Sequence, residues 1–147
     1  MDQARSLRAV DGEPKVAREV AEADFERFCE TMDLDVDVNR MNAEDLEKFN
    51  EVRETLLRSM ERGDLIINEQ GQPVYKPRGA GLNVQVITFY EPTGATFMAM
   101  DSKKKEQEVA KMHSIMADMT RLPEKTFAIM AQRDLKICKA ICTLFLG

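Results

Sequence analysis

The sequence predicts an α+β fold that is mostly helical, with a small antiparallel sheet of about three strands covered by helices. Two long segments, about 14–32 and 43–62, repeat apolar residues at steps of three and four, which is typical of helices with one buried face. Two short β-branched runs flank a glycine-containing turn, and an alternating run at 84–90 follows them. After Pro92 the chain returns to helical periodicity and becomes more apolar toward its last residues.

The N-terminal half is predicted to begin with a flexible arm, residues 1–14, and to continue with two helices. The first helix is expected to bury Ala21, Phe25, Phe28, Cys29 and Met32. The second runs from 43 to 62; Asn42 is its N-cap and Gly63 stops it. Residues 33–38, between the helices, alternate acidic and apolar side chains but lack the glycine and closing glutamate of a calcium loop. A short strand or an extended connector is expected there.

A β-hairpin is expected next, with strands at 64–68 and 73–76. Its turn contains Gly71, where a positive φ is needed. Because Pro73 cannot donate to a ladder, the return strand is predicted to lie at an edge of the sheet. The alternating run at 84–90 is predicted to pair with this hairpin, which completes the sheet.

The length of 147 residues suits one domain, with or without an appended arm. The Pro-Arg-Gly-Ala-Gly loop at 77–81 is the best candidate for an internal boundary. We therefore expect the arm 1–14, an acidic part 15–79 with the helical and β-hairpins, and a part 80–147 with the strand and the C-terminal helices. Residues 64–79 are expected to pack with the last part as one compact unit.

The part after the strand is predicted to begin with a short apolar helix, 94–100, for which Thr93 is the N-cap. A longer helix, capped by Asp101 or Ser102, follows it. This helix ends before Pro123, because the residue before a proline avoids the helical region. Its apolar stripe consists of Val109, Met112, Ile115, Met116, Met119 and Leu122.

Pro123 is predicted to open a further short helix, and a last helix runs from 135 to 146. That last helix is apolar on nearly every face, so it lies either in a core or under a partner. The chain also contains 10 Met residues, and Met is over-used on adaptable binding surfaces, although it fills helix cores as well. We therefore predict a protein-binding surface and keep the core as the alternative position for the same side chains. The candidate partner-binding residues are Met112, Met116, Met119, Phe127, Met130, Leu135 and Phe145.

The charge distribution argues against nucleic acid as a partner. Residues 1–62 carry 10 Lys or Arg and 17 Asp or Glu, whereas residues 63–147 carry 11 and 9. The basic cluster 103–105 is expected to be the solvated start of a helix, with a small docking patch as the alternative. No apolar run is long enough to span a membrane, and the first residues do not resemble a signal peptide, so a cytoplasmic protein is expected.

No catalytic motif is present, and a non-enzymatic protein without cofactor or metal is expected. His113 is the one histidine, and no nucleophile or orienting acid is spaced to face it on a helix. Cys138 and Cys142 lie four residues apart, a spacing that a metal site can use. His113 or Cys29 would have to complete such a site, and no second Cys or His pair is spaced to do so. Buried free thiols are therefore favoured.

Several short motifs follow one another in the C-terminal part. A strand closes on Glu91-Pro92-Thr93-Gly94, an apolar helix comes next, and the Met-rich helix ends at Leu122-Pro123. Asp134 opens the last helix, and the sequence closes with Phe145-Leu146-Gly147. In this order the motifs resemble the tail assembly chaperones of long-tailed phages, over about residues 82–147. In this chain about 80 residues precede the strand, whereas the strand of the family members begins near the N-terminus.

The resemblance implies a non-catalytic protein that acts in the host cytoplasm and is absent from the finished particle. Its partners would be the tape measure protein, which it coats, and the tail tube protein, which it helps to recruit. Family members are often made in two forms by a ribosomal frameshift, so a longer form read past Gly147 is expected. The alternative is a non-catalytic structural or regulatory interaction module that acts as a helical dimer. A homo-oligomer is compatible with both functions.

Overall fold

A computed structural model of the protein describes residues 15–101 and 108–146, and of Met100 only the backbone. The fold is α+β, as predicted. The elements are α1 (Arg18–Thr31), a 3-10 turn (Val38–Arg40), α2 (Ala43–Glu61), β1 (Leu65–Ile67), β2 (Pro73–Tyr75), β3 (Ile87–Thr88), α3 (Gly94–Asp101), α4 (Glu108–Thr120), α5 (Glu124–Ala128) and α6 (Gln132–Leu146). The predicted arm 1–14, the alternative cap Ser102 and the lysine cluster 103–105 lie outside the described residues. None of the described helices is long and apolar enough to cross a membrane.

The sheet has the strand order β1–β2–β3, and both pairs are antiparallel, which confirms the predicted architecture. Leu65 lies opposite Tyr75, and Tyr75 lies opposite Ile87. These three side chains therefore share one face, and all three are buried beneath the helices. The hairpin turn contains Gly71 with φ 78°, as its sequence indicated.

The prediction that the return strand lies at an edge is wrong, because β2 is the central strand. Pro73 is the first residue of β2, and its carbonyl accepts a hydrogen bond from the Phe89 N–H at 2.9 Å. Proline has no N–H with which to return that bond, and β3 ends one residue earlier, at Thr88. A proline at the start of a central strand thus costs one ladder bond and leaves the rest of the pairing intact.

β3 is much shorter than the alternating run 84–90, although it pairs with the hairpin as predicted. After the two paired residues, the Tyr90 N–H donates to the Met119 carbonyl of α4 at 2.8 Å. This bond directs the backbone toward the helical layer and away from the ladder. Just before the paired residues, Gln85 and Val86 are exposed, whereas Val84 is half-buried and packs against the core.

α1 and α2 run antiparallel and pack against each other, and α2 also packs along α6. The Arg18 guanidinium, at the start of α1, binds the carboxylates of Glu54 and Glu61 in the second half of α2. Its hydrogen bond lowers the pKa of Glu54 below the usual value. α6 packs beside them with one face in the core, where the Phe145 and Phe28 rings meet edge to face with centroids 5.3 Å apart.

The outer edge of β1 is closed by an arginine of α1. Arg27 donates hydrogen bonds to the carbonyls of Ile67, at 2.7 Å, and Asn68, at 2.8 Å. Ile66, between the two buried residues of the same strand, is 53% exposed. An open edge with an exposed isoleucine favours pairing with another chain, and the guanidinium occupies the outward-facing Ile67 carbonyl that such a strand needs. The Asn68 carbonyl belongs to the hairpin turn, where it also accepts from the Gly71 N–H at 3.0 Å.

Three helices end with the same backbone arrangement. Just past each helix one residue has a left-handed conformation; these are Asp33 (φ 51°), Gly63 (φ 80°) and Arg121 (φ 60°). The N–H of the next residue then donates to the carbonyl five residues earlier in the helix. These hydrogen bonds are Leu34 to Cys29 (2.9 Å), Asp64 to Ser59 (3.1 Å) and Leu122 to Ala117 (3.2 Å). This is the Schellman motif, and it confirms Gly63 as the stop of α2.

Asp134 is a completely buried carboxylate in the first turn of α6. It accepts hydrogen bonds from the Tyr75 hydroxyl at 2.6 Å, the Arg78 N–H at 2.8 Å and the Gly79 N–H at 2.9 Å. Burial and the neighbouring carboxylate raise the pKa of Tyr75, so its hydroxyl stays protonated and donates. These bonds fasten β2 and the loop after it to the last helix.

The same contact leaves no room for a side chain at Gly79. A Cβ atom there would lie 2.8 Å from the Ala131 Cβ and 2.9 Å from a carboxylate oxygen of Asp134. Loop 77–81, the candidate boundary between 15–79 and 80–147, is therefore tied to the C-terminal helix by its own backbone.

We expect Asp134→Asn to lower the free energy of unfolding by about 2–4 kcal/mol. An amide has one acceptor oxygen where three donors converge, and it turns its own donor group toward one of them. Tyr75→Phe removes one donor but leaves the carboxylate, so a smaller loss of about 1–2 kcal/mol is expected. Urea unfolding followed by circular dichroism measures both variants. A variant Asp134→Asn as stable as the native protein would contradict this role.

Two of the residues that end a helix in a left-handed backbone conformation, Asp33 and Gly63, allow a matched pair of substitutions. Asp33→Gly is expected to raise the free energy of unfolding by up to about 1 kcal/mol, because an L side chain in this conformation costs about 1–2 kcal/mol. Gly63→Ala is expected to lower it by about 1 kcal/mol. No atom lies closer than 3.6 Å to a Cβ at Gly63, so the loss comes from conformation and not from a clash. Asp35→Gly, at an exposed position without a positive φ, is the control and gives no gain.

Candidate protein-binding surface

The seven residues predicted to bind a partner lie in or against the core. Four of them are buried: Met116 (1% exposed), Met119 (1%), Phe127 (0%) and Met130 (6%). Half-buried and packed on the same core are Met112, Leu135 and Phe145. In this fold a partner cannot reach the first four, so these are not surface residues, whereas contact of a partner with Met112, Leu135 and Phe145 stays a prediction. The Met-rich stripe fills the core, which was the alternative position for these side chains.

α3 has the opposite character, because it is an apolar helix that stays largely exposed. Its sequence, GATFMAMD, has one charged residue and no separate polar face. Phe97 is 49% exposed and Met98 is 75% exposed. Burying such side chains contributes about 1.5–3 kcal/mol each, and exposed groups of them mark interaction sites more often than chance. α3 is therefore the best candidate for contact with another protein.

Hydrogen bonds anchor α3 to its neighbours. Thr96 is buried, and its hydroxyl donates to the Asp118 carboxylate of α4 and accepts from the Thr93 N–H at 3.0 Å. The Thr93 hydroxyl accepts from the Ala95 N–H at 3.2 Å, in agreement with its prediction as the cap. The anchor uses the threonine side of the helix, and the two exposed apolar side chains take no part in it.

α4, which packs against α3, adds a third exposed apolar side chain. Val109, in the first turn of α4, is 72% exposed, so its predicted place in the buried stripe is wrong. The stripe meets the core only from Met112 onward, one turn later. We call Phe97, Met98 and Val109 the α3–α4 surface.

The far end of α4 is fixed by a pair of contacts to the segment after β3. The Tyr90 N–H donates a hydrogen bond to the Met119 carbonyl. The Arg121 guanidinium lies over the Tyr90 ring, 3.7 Å from its centroid. Arg121 is also the residue with positive φ that ends α4. The segment that leads into α3 is thus joined to the end of α4, which positions both helices of the surface.

The sequence indicates that α3 is apolar, but it does not predict whether α3 is buried or exposed. An apolar helix without a polar face indicates either burial or a covering partner, and α3 has this pattern. The expectation that the last helix is apolar on nearly every face is wrong, because Arg133, Lys136 and Lys139 form an exposed polar face of α6. α6 is 15 residues long and packs along α2, whereas α3 has 8 residues. A short helix can be held by one polar contact, such as that of Thr96 with Asp118. A single contact of this kind leaves no periodic pattern in the sequence, so the sequence does not predict it.

The described residues contain no group of three or more His, Cys, Asp or Glu side chains arranged to hold a metal ion. Cys138 and Cys142 are buried free thiols, and the Cys138 sulfur lies 3.9 Å from that of Met130. Burial raises the pKa of Cys142 to about 12 and that of Cys29 to about 11. At neutral pH all three thiols are therefore protonated, which suits packing and not nucleophilic chemistry.

Comparison of the chain with models of known protein families, with curated proteins and with solved structures finds no match. The resemblance to tail assembly chaperones therefore rests on the short motifs of residues 82–147. The candidate surface rests on the exposure and anchoring of the chain's own side chains.

We expect the cysteines of the native protein to react slowly with Ellman's reagent at pH 8. With a pKa of about 11, Cys29 is a thiolate in about one molecule in a thousand at this pH, and the two thiols of α6 are buried as well. Guanidinium chloride restores ordinary pKa values and access, so 3 equivalents are expected to react at once after unfolding. Rapid reaction of 2 or more equivalents in the native protein would contradict the burial of Cys138 and Cys142.

Proposed function

We propose that this protein is a non-catalytic tail assembly chaperone of a long-tailed phage, and that it binds an apolar helical segment of the tape measure protein. The observation that carries the proposal is the exposed apolar helix α3 within the region whose motifs resemble that family. The tail tube protein is the second proposed partner, and the host cytoplasm is the proposed place of action.

The chemistry of the α3–α4 surface suits a long helical partner. Before assembly, such a partner exposes apolar stripes along its length, and these stripes aggregate unless they are covered. Met98 is flexible and polarizable, so it can adapt to stripes of different shape, while Phe97 supplies a larger and stiffer contact. A surface of this kind recognises apolar helices in general and does not need one fixed sequence.

The small size of the surface suits a contact that is later broken. Each exposed side chain contributes about 1.5–3 kcal/mol when it is buried, and the entropic costs of association reduce that gain. One copy therefore binds weakly and dissociates readily. A chaperone that leaves before the particle is complete needs such reversibility.

Co-expression with the tape measure protein tests the proposal. Its gene is expected directly downstream and that of the tail tube protein upstream. Phe97→Asp and Met98→Asp are each expected to weaken binding about 10-fold or more and to lower the soluble fraction of the partner, because a buried apolar contact becomes a desolvated charge. Soluble yield and co-purification are the measurements.

Val20→Asp is the matched control, since Val20 is an exposed apolar residue of a different helix, with 51% exposure. It is expected to leave both measurements unchanged. Met116→Asp places a charge in the core and is expected to unfold the chain, which circular dichroism detects. Normal solubilisation by both Phe97→Asp and Met98→Asp would show that the α3–α4 surface is not the binding site.

A further inference from the structure

A groove of about 910 Å³ lies between α2 and α6, away from the α3–α4 surface. Its lining has two ends of opposite charge. Glu47 and Glu51, from the first half of α2, make one end acidic. The basic end is formed by Arg58, Arg62, Arg133 and Lys136.

Most of these charges have no partner within the described part of the chain. Arg58 pairs with Glu54 at 3.2 Å, but Glu47, Glu51 and Arg62 form no ion pair with another described residue. The same holds for Arg133 and Lys136, the two cations of α6 that line the groove. An occupant that offers cations at one end and carboxylates at the other would therefore neutralise the groove.

α2 itself has this charge order along one face. Consider a second copy whose α2 lies antiparallel to the first, related by a two-fold axis that passes between residues 54 and 55. Arg62 of the second copy then lies opposite Glu47 of the first, and Arg58 of the second copy lies opposite Glu51 of the first. Both pairs recur on the other side of the axis, as an isologous contact requires; along the helix the two Arg62–Glu47 pairs are about 22 Å apart and the two Arg58–Glu51 pairs about 10 Å apart. Glu54, which faces the axis, is already neutralised by Arg18, so the two copies do not bring unpaired like charges together.

We propose that a second copy of this chain occupies the groove, with the two α2 helices antiparallel and the acidic end of each against the basic end of the other. A uniformly acidic partner would fit the basic end but would be repelled by Glu47 and Glu51, and a basic partner would meet the reverse problem. The second copy matches both ends at once. Because these charges are exposed, the dimer is expected to be weak and sensitive to salt.

A charge-swap experiment on the full chain tests the register. The acid-swapped variant carries Glu47→Lys and Glu51→Lys, and the base-swapped variant carries Arg58→Glu and Arg62→Glu. Each variant alone puts like charges together at both ends of the contact, so each is expected to be a monomer by sedimentation equilibrium at low salt. An equimolar mixture restores opposite charges at both ends and is expected to form a heterodimer about as tightly as the native chain dimerises.

The control is Glu26→Lys with Glu30→Lys, two exposed acids of α1 that do not line the groove, and it is expected to dimerise like the native chain. Circular dichroism shows that each variant is folded. High salt is expected to weaken the native dimer about 10-fold or more. A monomeric native chain at low salt, a dimer that survives either swap, or a mixture that stays monomeric would each overturn the proposal. The readout does not involve the tape measure protein, so it is independent of the proposed function.

Discussion

The fold depends on a carboxylate that is buried without an ion pair to any residue that the structure describes. Asp134 obtains its stabilisation from one hydroxyl and two backbone N–H groups, all of which belong to β2 and the loop after it. An unsatisfied buried carboxylate is very costly, so the buried position of the start of α6 is stable only with these donors in place. The β-hairpin and the last helix are therefore coupled in the folded state, although about 55 residues separate them in sequence.

Helices, caps and the order of elements could be predicted, because they depend on local chemistry. Asn42 caps α2 through the Asp45 N–H, and Gly63 ends it with a positive φ, as their residue types indicate. The central position of β2 was not predictable from Pro73, because the cost of a missing N–H depends on its place in the ladder. Asp134 looks in sequence like any acid in the first turn of a helix.

The burial of four of the predicted partner-binding residues was not predictable for a related reason. Periodicity shows that Met116 and Met119 share a face with their apolar neighbours, but it does not show whether that face meets the same chain or another one. The α6 helix packs against α4 and the Met-rich face lies in the core, whereas Phe97 and Met98 of the shorter α3 are among the large apolar side chains that stay exposed. The α3–α4 surface and the charged groove are separate, so a dimer joined through α2 would carry two apolar surfaces. Two linked weak contacts hold a long partner much more tightly than one.

The arginine that closes the outer edge of β1 has a consequence for synthesis on the ribosome. Arg27 belongs to α1, and α1 leaves the ribosome before the hairpin whose carbonyls the guanidinium occupies. Synthesis proceeds from the N-terminus at about 5–20 residues per second, so α1 emerges a few seconds before β1. Arg27 is therefore already present when the exposed Ile66 and its strand emerge. In a crowded polysome, where neighbouring nascent chains present the same strand, this order favours closure within one chain over pairing between two.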